Sequence, residues 1–238
     1  MHPIITKIGP FTIYSYGMMV AIAFLLGVFI AKLEAIRKNI KPDIVYDFSF
    51  YIIIGSIIGA RIYYIFFFDL KEFLSDPVSI FKVWQGGLSI HGGILGGIII
   101  GLIFSKIRKI SFWKLADLIS PSIILGQAIG RIGCFLNGCC FGMPMKPFYG
   151  MKNHPTQIYE LVLDFIGFLM LWNLRKKINF VGGLFLFYLM AYSVIRIIVS
   201  QFRADNSYLW NTNLTLADLT SVTTFIIAMI LYIKKKHV

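Results

Sequence analysis

The chain contains 238 residues, of which 58% are hydrophobic and only 14% are charged. Apolar runs recur along its whole length, and this composition excludes both a soluble globular protein and a disordered one. A formal net charge of +12 would suit nucleic-acid binding. The basic residues, however, fall in short clusters between the apolar runs, so we expect membrane lipid, and no nucleic acid, as the partner of this charge.

Seven apolar segments follow one another along the chain, each long enough to cross about 30 Å of hydrocarbon as a helix. The sequence therefore predicts an all-α polytopic membrane protein with seven transmembrane helices. Residues 1–238 form a single transmembrane domain in this interpretation, with a small extracytoplasmic loop region around 135–155. The N-terminus lacks the features of a removable signal peptide, so we expect the first span to direct insertion. The predicted spans are 14–36, 45–68, 88–105, 115–134, 156–174, 182–203 and 214–233.

Basic residues alternate with the predicted spans. Most of the 23 Lys and Arg residues fall in four clusters, at 32–41, 106–114, 175–177 and 234–236, and each cluster follows an odd-numbered span. Cytoplasmic loops of membrane proteins carry such an excess of positive charge. We therefore expect the N-terminus outside and the C-terminus in the cytoplasm.

Glycines at four-residue spacing indicate where helices pack closely. Such faces let helix backbones approach one another in lipid, where hydrophobicity does not drive association. The pattern predicts packing and says little about chemistry. The registers are Gly55/Gly59, Gly92/Gly96, Gly93/Gly97/Gly101 and Gly126/Gly130.

Ionisable side chains inside the spans point to a functional site, because burying them in hydrocarbon is costly. Arg61, Arg131 and Arg196 lie in the outer parts of the even-numbered spans. The odd-numbered spans run in the opposite direction, so polar residues near their starts lie at the same depth. We therefore expect six spans to bring polar groups together in the outer leaflet. Those near the starts of odd-numbered spans are Tyr16, His91, Gln157, Tyr159 and Glu160.

Three arginines and a histidine at one depth favour a site for a lipid phosphate. A guanidinium group grips phosphate through two parallel hydrogen bonds, and a histidine exchanges protons near neutral pH. Other interpretations stay open. Arg61 could brace a helix end, and His91 could be a structural histidine. Tyr16, Tyr159 and Tyr192 could belong to the aromatic belt of the membrane interface.

The three cysteines lie around the end of the fourth predicted span. Cys134, Cys139 and Cys140 match no standard zinc spacing, and a zinc site would need a fourth ligand such as His154. We therefore expect no metal. A nucleophilic thiol and a disulfide at an oxidising outer face are further interpretations, but small packing residues at a helix end are the favoured one.

Five stretches, in order and spanning nearly the whole chain, resemble the motifs of the prolipoprotein diacylglyceryl transferase family. Residues 130–142, GRIGCFLNGCCFG, are similar to the family signature. Residues 84–93, WQGGLSIHGG, look like its histidine motif, and residues 154–160, HPTQIYE, like its third motif. The remaining matches are the early Tyr16-Gly17 and the late residues Tyr192, Arg196 and Arg203.

Three positions depart from the commonest pattern of that family. Cys134 and Cys139 stand where the signature usually has Asn and Glu, and Ser200 stands where the late motif has Glu. The arginines and the histidine are retained, whereas two acidic members are not.

The resemblance implies an enzyme that transfers the diacylglyceryl group of phosphatidylglycerol to the lipobox cysteine thiol of prelipoproteins and releases glycerol-1-phosphate. It also implies a multi-pass location in the bacterial cytoplasmic (inner) membrane. Its expected partners are phosphatidylglycerol and the prelipoprotein signal peptide, and no cofactor is expected. Two rivals stay open: a catalytically altered paralogue that binds phosphatidylglycerol or prelipoprotein, and an anion transporter.

Within the implied reaction, Arg131 and Arg196 are the candidates to stabilise the departing phosphate, and His91 is the candidate base for the thiol proton. These three residues are the expected catalytic set. The residues expected to bind substrate are Tyr16, Arg61, Gly92, Asn137, Gly142, Gln157, Tyr159, Tyr192 and Arg203.

Overall fold

Seven long helices dominate the computed structural model, which describes residues 2–8, 11–83, 86–148, 151–205 and 214–237. Each helix coincides with one predicted span and is long and apolar enough to cross a membrane, so the prediction of a mostly helical, seven-span fold is confirmed. A short helix, α3, follows the second span. The helices are α1 (Ser15–Arg37), α2 (Pro42–Phe68), α3 (Leu70–Ser75), α4 (Ile90–Ile107), α5 (Phe112–Asn137), α6 (Thr156–Leu174), α7 (Gly183–Ser200) and α8 (Leu216–Lys236).

Short elements between the spans were not predicted. Strands β1 (Ile4–Ile8) and β2 (Phe11–Tyr14) form one antiparallel hairpin, and β3 (Pro144–Phe148) and β4 (Met151–Asn153) form another. A 3₁₀ helix, Pro77–Phe81, follows α3. Segments this short show no clear period of hydrophobicity, which is why the sequence pattern missed them.

The chain divides into two compact units, and the divisions fall inside α1 and α5. The larger unit comprises Met1–Leu33 and Ala116–Val238, and the smaller unit comprises Glu34–Leu115.

Glycines bring α2 and α4 together in the smaller unit. A Cβ atom on Gly59 would lie 2.5 Å from the carbonyl oxygen of Gly92 and 2.9 Å from the Cα atom of Gly96. Gly55 faces the same helix, because a Cβ on Gly96 would collide with its carbonyl group. The two backbones are therefore in direct contact, as expected for small-residue faces.

The glycine pattern on α5 does not mark such a contact. Among the described residues, no atom outside the local helix backbone lies within 4 Å of a Cβ built on Gly126 or Gly130. The spacing alone predicted close packing here, and that prediction is wrong because a four-residue register does not reveal which helix face meets a neighbour.

The core of the larger unit lies among α5, α6 and α7, where Ile124, Leu171 and Ile195 are buried together. A polar contact also joins α5 to α7. The buried carboxylate of Asp117 accepts hydrogen bonds from the amides of Gly182 (2.7 Å) and Phe185 (2.9 Å). It thereby satisfies two amides at the start of α7 that have no partner within that helix.

We predict that Gly59→Ala lowers the free energy of unfolding by about 1–3 kcal/mol, because its methyl group would press on the backbone of α4. Gly126→Ala is the matched control and should stay within about 0.5 kcal/mol of the wild type. The measurement is the thermal unfolding midpoint of each purified protein in the same detergent. Equal midpoints for the two variants would contradict the close approach of α2 and α4.

Candidate active site

A buried glutamate in the larger unit is shared by three arginines. Glu160, on the second turn of α6, is 1% exposed, and Arg131 of α5 donates a hydrogen bond to its Oε1 atom. The Nη1 atom of Arg203 lies 3.4 Å from Oε2, and the Nη1 atom of Arg196 on α7 lies 3.9 Å from Oε1. The four residues are called the arginine cluster below.

The three arginines are not equally accessible. Arg203 keeps only 7% of its side-chain surface exposed, whereas Arg131 and Arg196 keep 20% and 24%. Arg203 is also held by Asp205, which accepts hydrogen bonds of 2.8 and 2.6 Å from its Nε and Nη2 atoms. Arg131 and Arg196 therefore keep more side-chain surface exposed than Arg203, which is held in place by two carboxylates.

The pairing of Arg203 with Asp205 lies beyond the end of α7. Hydrogen bonds from Arg203 hold the pKa of the Asp205 carboxyl group below its usual value, and the same contact raises the pKa of Arg203. Both groups are therefore charged at neutral pH. Their attraction is lost as the pH falls through the lowered pKa of Asp205.

Gly142 holds the backbone of Arg203 in its place within the arginine cluster. The two residues form an isolated antiparallel bridge, and the amide of Gly142 donates to the carbonyl oxygen of His154 at 2.8 Å. A Cβ on Gly142 would lie 2.7 Å from Cγ2 of Thr156 and 2.8 Å from Cβ of His154. Glycine is thus required at position 142 by backbone crowding, which gives it a positioning role.

The end of α5 is closed by a Schellman cap. Gly138 has a φ of +77°, its amide donates to the carbonyl of Phe135 (3.2 Å), and the amide of Cys139 donates to that of Cys134 (3.2 Å). The pairing of these two amides with carbonyls of the last turn defines this cap, in which glycine is favoured at the left-handed position. The motif turns the chain back over the helix and brings Cys139 next to Cys134.

Polar side chains at the start of α6 hold the segment after the cap. The Nε2 atom of Gln157 donates to the carbonyl of Cys139 (2.5 Å), and the hydroxyl of Thr156 donates to that of Cys140 (2.7 Å). Cys140 itself has a φ of +64°, an uncommon conformation for a residue with a side chain. Gln157 is therefore a positioning residue as well as a candidate for substrate contact.

The three thiols are free and lie side by side, with all sulfur atoms within 4.8 Å of one another. Burial raises the pKa of the Cys140 thiol to about 12, so without a metal this thiol is protonated at neutral pH. A protonated thiol is a poor nucleophile, which weakens the interpretation of Cys140 as the attacking group.

The predicted tyrosines occupy different surroundings in the larger unit. The hydroxyl of Tyr159 lies 3.2 Å from Nδ1 of His154, and Tyr192 stacks on Tyr188 with ring centres 6.1 Å apart. Tyr16 is exposed near the start of α1.

Asn137, another predicted substrate contact, is exposed and is the last residue of α5.

The smaller unit contains the other predicted site residues. His91, the second residue of α4, is exposed, and its ring centre lies 6.1 Å from that of Tyr63. Gly92 is buried against α2, where a Cβ would lie 2.9 Å from Cα of Ala60. The close contact with α2 explains why glycine stands at position 92.

Arg61 is buried, and its guanidinium group is engaged by backbone carbonyls. It donates to the carbonyls of Ser79 (2.5 Å), Ile80 (3.3 Å), Gly86 (3.0 Å) and Gly87 (3.2 Å). Arg61 thus connects α2 to the segment that leads into α4 through hydrogen bonds from one side chain. This arrangement supports the interpretation of Arg61 as a structural residue that braces a helix end.

The structure therefore brings together Arg131, Arg196 and Arg203 in the larger unit, with Gly142 and Gln157 supporting their surroundings. Arg61, His91 and Gly92 belong to the smaller unit. The convergence of both sets at one membrane depth stays a prediction.

Sequence reasoning underrated the acidic residues. Glu160 was recognised only as a polar residue at the expected depth, and Asp164 and Asp218 were not singled out. Asp164 is fully buried one turn after Glu160 on α6, and neither of its carboxylate oxygens has a hydrogen-bond partner among the described residues. A carboxylate inside a predicted span was the signal that would have identified it.

Asp218 on α8 accepts a hydrogen bond from the hydroxyl of Ser200 at the end of α7. Ser200 is the position at which the resembling family has Glu, so a carboxylate from the neighbouring helix reaches this point. Arg196 also interacts electrostatically with Asp218. The acidic group that is absent from α7 is thus present on α8.

We predict that Glu160→Gln lowers the free energy of unfolding by about 3–5 kcal/mol, because it leaves buried guanidinium groups without their shared countercharge. Asp205→Asn removes an exposed carboxylate from the same network and should cost about 0–1 kcal/mol. Thermal unfolding of both variants in the same detergent measures the difference. A Glu160→Gln protein as stable as Asp205→Asn would show that Glu160 does not hold the arginine cluster.

Comparison with known proteins identifies relatives along almost the entire chain. Residues 3–234 match the family model described as "Prolipoprotein diacylglyceryl transferase". The chain is 37% identical to a phosphatidylglycerol–prolipoprotein diacylglyceryl transferase of Trichormus variabilis, with 98% of this chain and 91% of the relative covered. Proteins of the same name from Halalkalibacterium halodurans and Staphylococcus aureus are 36% and 32% identical, with 95% and 99% of this chain and 83% and 90% of the relatives covered. The chain therefore belongs to the prolipoprotein diacylglyceryl transferase family.

Proposed function

We propose that this protein transfers the diacylglyceryl group of phosphatidylglycerol to the cysteine of prolipoproteins. The observation that carries the proposal is the pair of partly exposed arginine side chains, Arg131 and Arg196, held beside buried Glu160. The names of the relatives supply the substrates, and membership of the family supplies the reaction class.

The arginine cluster suits the phosphate of the lipid. Among the described residues, Glu160 is the only carboxylate within ion-pair distance of Arg131 or Arg196, and the two arginines share it. Within ion-pair distance, these two guanidinium groups therefore outnumber the carboxylate that they share. A phosphate gains negative charge when it departs as the leaving group. Fixed guanidinium groups stabilise this added charge and so favour its departure.

An apolar cavity of about 420 Å³ between α6 and α7 suits an acyl chain of the same lipid. Tyr159 and Phe202 line it and immediately precede Glu160 and Arg203, so the cavity and the arginine cluster adjoin along two elements. Both parts of a phospholipid thus find matching surroundings in the larger unit. The lining residues are Ile158, Tyr159, Val162, Leu163, Ile198, Val199 and Phe202.

The proposed reaction is a displacement at the carbon of the diacylglyceryl group that bears the phosphate. The sulfur of the lipobox cysteine forms a bond to this carbon, the bond from carbon to phosphate oxygen breaks, and glycerol-1-phosphate leaves. The thiol proton passes to His91, the proposed base. Arg131 and Arg196 stabilise the charge that develops on the departing phosphate.

The other predicted site residues receive supporting roles. Arg61 braces the segment before His91, and Gly92 allows α4 to pack on α2. Gly142 and Gln157 position the surroundings of the arginine cluster, within which Arg203 helps to hold Glu160. The proposed substrate contacts outside the cluster are Tyr16, Asn137, Tyr159 and Tyr192.

The protein is a multi-pass membrane protein, and its relatives are bacterial. We place it in the cytoplasmic membrane, with the N-terminus outside, because the basic clusters follow α1, α4, α6 and α8. In this orientation the arginine cluster lies in the outer part of the membrane.

We predict that Arg131→Ala and Arg196→Ala each lower the rate of diacylglyceryl transfer by at least about a hundredfold, because each removes a cation from the departing phosphate. His91→Ala should lower it by about 10²–10⁴-fold through loss of the base. The measurement is transfer from labelled phosphatidylglycerol to a model prelipoprotein in membranes, normalised to enzyme abundance.

Arg175→Ala is the control for this experiment. Arg175 follows the last residue of α6, about 22 Å along the chain from Glu160 at a rise of about 1.5 Å per residue, and its guanidinium stacks on Trp172. Its replacement should leave transfer within about twofold of the wild type, within the usual range of a surface change. Wild-type turnover in Arg131→Ala would refute the proposed mechanism. A folded wild-type protein that binds phosphatidylglycerol but transfers nothing would favour the non-catalytic rival.

We predict that a reporter fused after Val238 reports the cytoplasm and that a reporter inserted near Lys82 reports the outside. The reason is the alternation of basic clusters with the spans. Paired alkaline phosphatase and fluorescent protein fusions at both positions make the measurement. The reverse result at both positions would overturn the proposed orientation.

A further inference from the structure

The three thiols at the end of α5 have no role in the proposed transfer reaction. We propose that Cys134, Cys139 and Cys140 form a binding site for one soft metal ion, with zinc as the representative, in which three thiolates are ligands and a fourth position is open. This inference does not depend on the proposed function.

The spacing of the sulfur atoms suits one metal ion. All three lie within 4.8 Å of one another, and those of Cys139 and Cys140 are 3.3 Å apart. Zinc–sulfur bonds of about 2.3 Å in tetrahedral geometry require sulfur atoms about 3.8 Å apart. The required separation lies between the two observed limits, so small side-chain rotations are enough to close the site.

Backbone geometry brings the three sulfurs together before any metal arrives. The Schellman cap at Gly138 sets Cys139 over Cys134, which are the two positions whose side chains commonly touch in this motif. The left-handed conformation of Cys140 then turns the third side chain toward them. Gln157 and Thr156 fix the carbonyls of Cys139 and Cys140, so little ordering is left to oppose binding.

The cysteine spacing departs from the standard zinc motifs only in part. Those motifs use two pairs of ligands, with two to four residues between the members of a pair. Four residues separate Cys134 from Cys139, which is within that range, but Cys140 directly follows Cys139 and the chain has three cysteines in all. The helix cap and the left-handed conformation of Cys140 bring the three sulfur atoms together without a second pair.

Charge and ligand type define the ion. Thiolates are soft ligands that favour zinc, copper(I) or cadmium over magnesium or calcium. Three thiolates and one divalent ion carry a net negative charge, and Arg131, one helical turn before Cys134 on α5, lies on the same side to offset it. No histidine or carboxylate of the described residues joins the sulfurs within the same distance, which leaves the fourth position for water or an external thiol.

The test is metal content of the full chain, purified in detergent under reducing conditions, incubated with zinc and freed of excess ion by gel filtration. We expect about one zinc per chain by elemental mass spectrometry. Cys134→Ala, Cys139→Ala and Cys140→Ala should each lose most of it. Substitution by cobalt(II) should give thiolate-to-cobalt charge-transfer absorption in the wild type and not in the three cysteine variants.

Two controls keep the test decisive. His154→Ala should keep its zinc, because His154 faces Tyr159 and is not one of the three ligands. Gel-filtration profiles and thermal unfolding show whether each cysteine variant is folded. Wild-type protein with no more zinc than the triple Cys→Ala variant would overturn the proposal. So would a disulfide between two of the cysteines that persists in the reduced sample, or cysteine variants that are folded and still bind zinc.

Discussion

The buried carboxylate of Glu160 is the interaction on which the larger unit depends. It draws guanidinium groups from α5, from α7 and from the segment after α7 to one point on α6. An isolated arginine at that depth would be costly, and so would an isolated glutamate. Together they tolerate burial, and three guanidinium groups meet the one carboxylate of Glu160 at the point where we propose that the phosphate binds. The elements that shape the apolar cavity are the same elements that this glutamate ties together.

The departures from the usual family pattern are compensated in different ways. Ser200 stands where the family pattern has Glu, and its hydroxyl donates to the carboxylate of Asp218 on the neighbouring α8. A capping box with Thr215 holds that carboxylate at the start of α8, so its position is set by the helix terminus. The cysteines at 134 and 139 are not compensated by charge. Together with Cys140 they form the three-thiol cluster that we propose binds a metal ion.

Hydropathy was sufficient to predict the spans, because each apolar run is long and the basic clusters separate them. Four-residue glycine spacing was sufficient to predict the contact between α2 and α4. The same spacing at Gly126 and Gly130 marked no contact among the described residues, since a local pattern carries no information about its partner. The β-hairpins were too short to show a period. The role of Glu160 was not predictable either. Its partners lie up to 43 residues away in sequence, and only the folded helices bring them to one carboxylate.

The contact of Asp117 with the start of α7 bears on the order of membrane assembly. The amides of Gly182 and Phe185 would enter a non-aqueous environment without partners, which lipid does not permit at low cost. Their acceptor lies 65 residues earlier than Gly182 in the chain, on a span that leaves the ribosome first. When α7 reaches the bilayer, α5 is already there to receive it. Biosynthesis from the N-terminus thus delivers the acceptor before the donors, because α5, the fourth span, is synthesised before α7, the sixth.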